Sequence, residues 1–164
     1  MIVRRLTAAD ALAFRHVRLE ALRLHPEAYG STLAQWETLP ESRYIQRLEG
    51  GVIFGLWTDK GLEGLLAYDR EDGLNARHRA SLHAVYVRKR LRGKGAVDLL
   101  IEAAIAQGRA DGLAQIELTV AETNTRAYDA YARHGFVRFG VIPRALLIKG
   151  NYVDEIQLIR RLDD

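Results

Sequence analysis

The stretch from Ser81 to Gly108 constrains this chain more than any other. It begins with a strand over Ser81–Arg88, carried by the β-branched and aromatic run Val85-Tyr86-Val87. A loop with two glycines follows, Arg90-Leu91-Arg92-Gly93-Lys94-Gly95, and passes through Ala96 straight into a patterned helix. Val97, Leu100, Ile101, Ala104, Ile105 and Gly108 fall at i, i+3, i+4, i+7, i+8 and i+11, which is one stripe of an amphipathic helix. Asp111-Gly112 ends it, with Gly112 suited to a left-handed terminus. A helix entered in this way presents unpaired backbone N–H groups and the positive end of its dipole. Gly93 and Gly95 permit a tight turn and keep side chains out of the space before those amides. Arg90, Arg92 and Lys94 add charge, so the unit reads as a cradle for a pyrophosphate. It is not a Walker A loop, and Asp98 stands where G-x-G-x-x-G needs its third glycine.

The rest of the chain supplies elements around this unit. Ile2–Leu6 reads as a first strand, and Thr7-Ala8-Ala9-Asp10 resembles a capping box. The helix it opens runs to about Leu24, where His25-Pro26 stops it. A polar stretch precedes a second helix over Glu41–Leu48, ended by Gly50-Gly51. Val52–Thr58 and Leu62–Asp69 form a hairpin through Asp59-Lys60-Gly61, and Glu71 to Arg79 is a polar loop. Beyond the patterned helix come a strand at Gln115–Val120 and a helix at Asn124–His134 closed by Gly135. Two strands follow, at Phe136–Ile142 and Tyr152–Leu162. The order β-α-α-β-β-β-α-β-α-β-β joins antiparallel runs to two strand–helix–strand crossovers. The expected class is therefore α/β (α+β), a mixed, mostly antiparallel sheet of about seven strands with helices on both faces.

No repeat or linker interrupts this pattern, and 164 residues suit one domain with its own core. The absence of cysteine excludes disulfides and thiolate metal sites, and no metal is expected. No apolar run approaches the roughly 20 residues needed to cross a bilayer, and no long apolar stretch follows the basic start Met1–Leu6. A cytoplasmic location with no membrane partner is the expectation. The net charge is only +3, yet Arg88, Lys89, Arg90, Arg92 and Lys94 put five cations into seven positions. Such a local field attracts an anion. A solvated basic loop and a nucleic-acid surface are the other readings of this cluster. No aromatic interleaving or zinc-ligand spacing supports the latter, and nucleic acid is not an expected partner.

Arg90-x-x-Gly93-x-Gly95 resembles the Q/R-x-x-G-x-G/A signature of the GNAT superfamily of N-acetyltransferases. Downstream, Asn124-x-x-Ala127-x-x-x-Tyr131-x-x-x-Gly135-Phe136 is similar to that family's N-x-x-A-x-x-x-Y-x-x-x-G-F helix. Asn151-Tyr152-Val153-Asp154-Glu155-Ile156 resembles its turn into the last strand. The resemblance covers most of the chain and implies a GNAT-like fold, acetyl-CoA as acyl donor and an amine as acceptor. It implies that Val85, Tyr86 and Val87 pair with the pantetheine arm, and that Tyr131 protonates the departing sulfur. It also implies that Asn124 contacts the pantetheine region. Read from the residues alone, Asn124 is equally a good N-cap. Tyr131 lies about two turns further along the same helix. A tyrosine hydroxyl (ordinary pKa about 10) can protonate a thiolate, and a core aromatic is the alternative. Family members are often dimers, which leaves a homodimer open.

The implied reaction is direct attack of an amine on the thioester, with N–H groups of the Val85–Val87 strand polarising the carbonyl. Some relatives place a catalytic Glu where this chain has Thr119, others where it has Leu82, and neither is a base. The candidate bases are Glu117, on the strand face of Thr119 and acting through water, and His83, whose ordinary pKa is near 6.5. Without turnover, the same cradle describes an acyl-CoA sensor. On the acceptor side Arg15, Arg18 and Glu20 read as a solvated helix face. Tyr29, Trp36 and Tyr44 either line a pocket or cover the core.

Overall fold

The computed structural model describes residues 1–163. In chain order it contains strand β1 (Ile2–Arg5), helices α1 (Ala11–Leu24), α2 (Leu33–Glu37) and α3 (Glu41–Gly50), and strands β2 (Val52–Thr58), β3 (Gly61–Arg70) and β4 (Arg79–Val87). Helix α4 (Ala96–Ala110), strand β5 (Gln115–Ala121), helix α5 (Thr125–Arg133) and strands β6 (Val137–Ile148) and β7 (Asn151–Arg161) complete it. The strands form one seven-stranded sheet in the order β1-β2-β3-β4-β5-β7-β6. All neighbours are antiparallel except β4 and β5, so the expected mixed sheet is present.

Side chains that alternate along the central strands build a core on each face of the sheet. Phe54, Leu56, Leu66 and Tyr68 pack with Leu100, Ile101 and Ala104 of α4. Their neighbours Ile53, Leu65 and Ala67 pack with Phe14, Val17 and Ala21 of α1 and Tyr44 and Leu48 of α3. The apolar stripe of α4 is buried as its period requires, with Leu100, Ile101 and Ala104 fully enclosed. At the entrance to α1 the Asp10 carboxylate takes the Thr7 amide at 2.8 Å and the Arg4 guanidinium at 2.8 and 2.9 Å. The bond to Arg4 holds the Asp10 pKa down at about 2. Among the described residues no helix is long and apolar enough to cross a membrane.

Two elements differ from the sequence reading. The polar stretch after α1 contains a helix, α2, because Thr32 and Gln35 form a reciprocal capping box at 2.9 and 3.2 Å. Strand β6 does not stop at Ile142 but continues through Pro143 to Ile148. β6 is the sheet edge, where a missing N–H costs no ladder bond, and a register shift between Ile142 and Leu146 absorbs the proline.

The feature that positions the site lies between β4 and β5. They pair only over Arg79–Ser81 against Gln115–Glu117 and then part. On its other side β4 is bulged against β3: Tyr86 faces Leu65 and His83 faces Ala67, with Ala84 at φ 53° in the extra length. A non-glycine residue held in the left-handed region stores strain, and bulges redirect the strand that carries them.

Candidate active site

Helix α4 starts from two glycines with left-handed backbones, Gly93 at φ 75° and Gly95 at φ 78°. No protein atom lies within 4 Å of where a Cβ would stand on either one. Among the described residues, the amides of Gly93, Gly95, Ala96, Val97 and Asp98 find no acceptor. These donors converge with the positive end of a fifteen-residue helix, the arrangement that binds a phosphate oxyanion.

They open onto a cleft of about 710 Å³ that follows the parting of β4 from β5. Val85, Tyr86 and Val87 line one wall, and Asn124, Ala127 and Ala130 line the other. Arg92, Gly93, Gly95, Ala96 and Val97 close one end, and His25, Ala28 and Tyr29 border it from the segment after α1. Asn124 caps α5, its Oδ1 accepting from the Ala127 amide at 3.2 Å, while it also borders the cleft. Its two readings are thus compatible.

Arg90 and Lys94, expected in the cradle, are not part of the cleft wall. Arg90 turns to β3, where its Nε donates to Glu63 at 2.6 Å and its Nη2 makes a second contact with the same carboxylate. Arg88 approaches Glu63 at 3.7 Å and pairs with Glu20 at 2.8 Å. Burial alone would push the Glu63 carboxyl up, but the Thr58 hydroxyl and the two guanidinium groups hold it below its ordinary value. Arg90 therefore pins the loop to the sheet, and Lys94 is exposed. Arg92 does reach the cleft: its Nε donates to the Val87 carbonyl at 3.0 Å and its Nη2 lies 2.9 Å from His25 Nε2. Arginine only donates, so Nε2 accepts and the ring proton sits on Nδ1, 3.5 Å from Glu27.

Neither candidate base borders the cleft. Glu117 lies opposite Ser81, where β4 and β5 are still paired, and is engaged by Gln115 at 2.6 Å and Arg79 at 3.4 Å. His83 sits in a cluster with Asp69 at 2.9 Å and Arg47 at 3.1 Å. The His83 contact holds the Asp69 carboxyl down at about 2.

Tyr131 is buried, edge-on to Phe136 at 5.7 Å, and its hydroxyl has no hydrogen-bond partner among the described residues. Burial pushes that hydroxyl well above the ordinary tyrosine value, and the nearby Tyr29 adds to the effect. Tyr29 itself donates to the Val85 carbonyl at 2.9 Å, and burial raises its pKa to about 12. Of the three aromatics read as pocket-lining or core-covering, Tyr29 borders the cleft, and the sequence reading missed His25 and Arg126 there. A histidine beside the proline that stops α1 is the available signal for the first, whereas nothing local marks Arg126.

A sequence model of the acetyltransferase (GNAT) family matches residues 12–136, a span that holds the glycine loop and the whole Asn124–Phe136 motif. The chain belongs to the GNAT acetyltransferase family. Solved structures carry the same GNAT fold. An acetyltransferase of the GNAT family from Streptococcus pneumoniae superposes with a TM-score of 0.85 at 21% identity over 98% of both chains. A ribosomal-protein-alanine N-acetyltransferase from Brucella melitensis gives 0.81 at 22% over 99% of this chain and 100% of its own. A GNAT phosphinothricin acetyltransferase from Sinorhizobium meliloti, in complex with acetyl-CoA, gives 0.84 at 17% over 98% and 88%. A comparison with curated proteins finds no match. In this GNAT acetyltransferase the parted strands and the glycine-lined helix start border one cleft, while Tyr131 is buried next to the lining residue Ala130 and is not itself on the cleft wall.

Proposed function

We propose that this GNAT acetyltransferase uses acetyl-CoA and transfers the acetyl group to a primary amine of a small molecule or protein by direct attack on the thioester. The observation that carries this reading is the row of free amides at Gly93 and Gly95–Asp98, set at one end of a cleft whose wall includes the bulged strand β4. Those amides fit a diphosphate, and Arg126, exposed on the cleft wall without a partner among the described residues, fits a further phosphate. The acetyl-CoA complex of the Sinorhizobium meliloti relative supports the same donor here.

In this reading acetyl-CoA supplies the acyl group as a thioester. A C–N bond to the amine forms, the C–S bond breaks, and the Tyr131 hydroxyl gives its proton to the leaving sulfur. Tyr131 suits that role because its proton is uncommitted and burial keeps the hydroxyl protonated, whereas the Tyr29 proton is occupied by the Val85 carbonyl. Main-chain N–H groups of Val85–Val87 polarise the acyl carbonyl. With Glu117 and His83 both outside the cleft wall and engaged elsewhere, the proton of the amine leaves through water.

The test is thiol release from acetyl-CoA with a panel of amines. Tyr131→Phe is expected to lower kcat by about 10²-fold, the usual contribution of a general acid, while the Kd for acetyl-CoA stays within about threefold. An unchanged kcat removes Tyr131 from the acid role. Saturable acetyl-CoA binding without thiol release for any amine replaces the enzyme with a sensor.

A further inference from the structure

Among the described residues two charged side chains are buried, Glu63 at 1% exposure and Arg18 at 4%. Glu63 is satisfied by Thr58, Arg88 and Arg90. Arg18 has no ion-pair partner among the described residues. Its Nε and Nη1 are buried without a hydrogen-bond partner among the described residues. Its charged neighbour is a second cation, Arg47, and burial lowers its pKa to about 10. The nearby carboxylates are already committed: Asp69 to Arg47 and His83, Glu20 to Arg88 and the Tyr86 hydroxyl at 2.7 Å.

What surrounds the guanidinium is aromatic. Its Cζ lies 4.9 Å from the Tyr29 ring centroid and 4.8 Å from that of Trp36. Ring faces attract the charge but leave the N–H fork, which lies in the guanidinium plane, without acceptors. A carboxylate meets that fork with two parallel hydrogen bonds and cancels the charge. Tyr29 ties this position to the cleft, since its ring faces Arg18 while its hydroxyl holds Val85, a cleft-wall residue at the β4 bulge.

We infer that Arg18 is the recognition element for a carboxylate on the acceptor, so that the amine acetylated is an amino acid or a similar small amino carboxylate. This rests on the N-acetyltransferase reading and narrows its acceptor.

The experiment compares wild-type kcat/KM for free amino acids with that for the same amino acids as amides, followed by thiol release. Each acid is expected to exceed its amide by about 10²-fold, the yield of two hydrogen bonds to a charged group that are otherwise unmade. Arg18→Met is expected to lose that factor for acids and little for amides, with acetyl-CoA affinity by calorimetry unchanged, and Arg18→Lys to recover part of it. If Arg18→Met fails to fold, the wild-type pairing of acid with amide decides alone. Equal use of acids and amides, turnover of amides or protein amines only, or no turnover of any acid overturns the inference. Loss of acetyl-CoA binding by the wild type would instead overturn the acetyltransferase reading beneath it.

Discussion

Gly93→Glu separates the two demands made on the glycine loop. At φ 75°, with open space where a Cβ would stand, the substitution costs the free protein only left-handed backbone strain, about 1–2 kcal/mol. For a chain of this size that is a fall in Tm of roughly 2–8 °C. The cost to the ligand is larger. A carboxylate about 5 Å from one phosphate charge, at an effective dielectric constant of about 20, is repelled by about 3 kcal/mol. That alone is more than 10²-fold in Kd, roughly. Gly93→Ala carries the strain without the charge and is expected to weaken acetyl-CoA by less than about tenfold. Calorimetry with acetyl-CoA on both variants reads the difference, and added salt should narrow it. A Kd for Gly93→Glu within about threefold of Gly93→Ala would mean that no phosphate lies against the α4 amides.

Glu63→Gln leaves Arg90 facing a neutral side chain while Arg88 keeps Glu20, and because Arg90 is partly exposed the cost in a urea titration is expected to be about 1–2 kcal/mol, with the acetyl-CoA Kd unaltered. A stable variant with altered Kd would return Arg90 to the cradle. Asp10→Asn tests the α1 entrance through pH. The folded Asp10 pKa of about 2 lies below the ordinary 3.8, so its contribution is fully present above about pH 4 and disappears as pH falls through 2. Because Arg4 is half exposed, the gap in stability at pH 7 should be on the order of 1 kcal/mol, and it should close during acidification. A gap that widens toward pH 2 would show that Asp10 acts through something other than its charge.

What the sequence disclosed about this molecule depended on how local the cause was. The α4 stripe and the left-handed glycines are settled within a few residues of themselves, so both the helix and the cradle could be read directly. The T-x-x-Q box of α2 was equally local and was passed over because the segment is polar. Arg90 could not be read, because its partner Glu63 stands 27 residues earlier on another strand. Arg18 shows the same limit in reverse. On a helix face it resembles a solvated cation, and only the return of Tyr29 and Trp36 over it makes it buried. For Glu117, strand alternation gave the face correctly but said nothing of where β4 and β5 part, and the residue lies on the paired side of that point. The strand expected to stop at Ile142 runs on through Pro143, which it tolerates because β6 is an edge.

The cations that dominate the sequence near the glycine loop mostly hold the scaffold, and the proposed chemistry falls to the main chain. Arg88 and Arg90 tie the loop to Glu20 and Glu63, Arg92 bridges Val87 to His25, and Arg133 is fixed on Asp98 at 3.0 Å. Each bond stiffens an element that borders the cleft. Among the described residues, the groups without hydrogen-bond partners include the amides at the head of α4, the Tyr131 hydroxyl and Nε and Nη1 of Arg18. In the proposed reading the first two serve the nucleotide thioester and the third an acceptor's acid group. The same division explains the strain at Ala84. Its left-handed backbone is pinned by β3 on both sides, through Ala67 opposite His83 and Leu65 opposite Tyr86. It shifts the register of β4 just where the strand leaves β5, and the Val85 carbonyl beside it is met by the Tyr29 hydroxyl. A distortion built into the middle of a sheet cannot relax as a loop does, so the β4 wall of the cleft is held in shape before any ligand arrives.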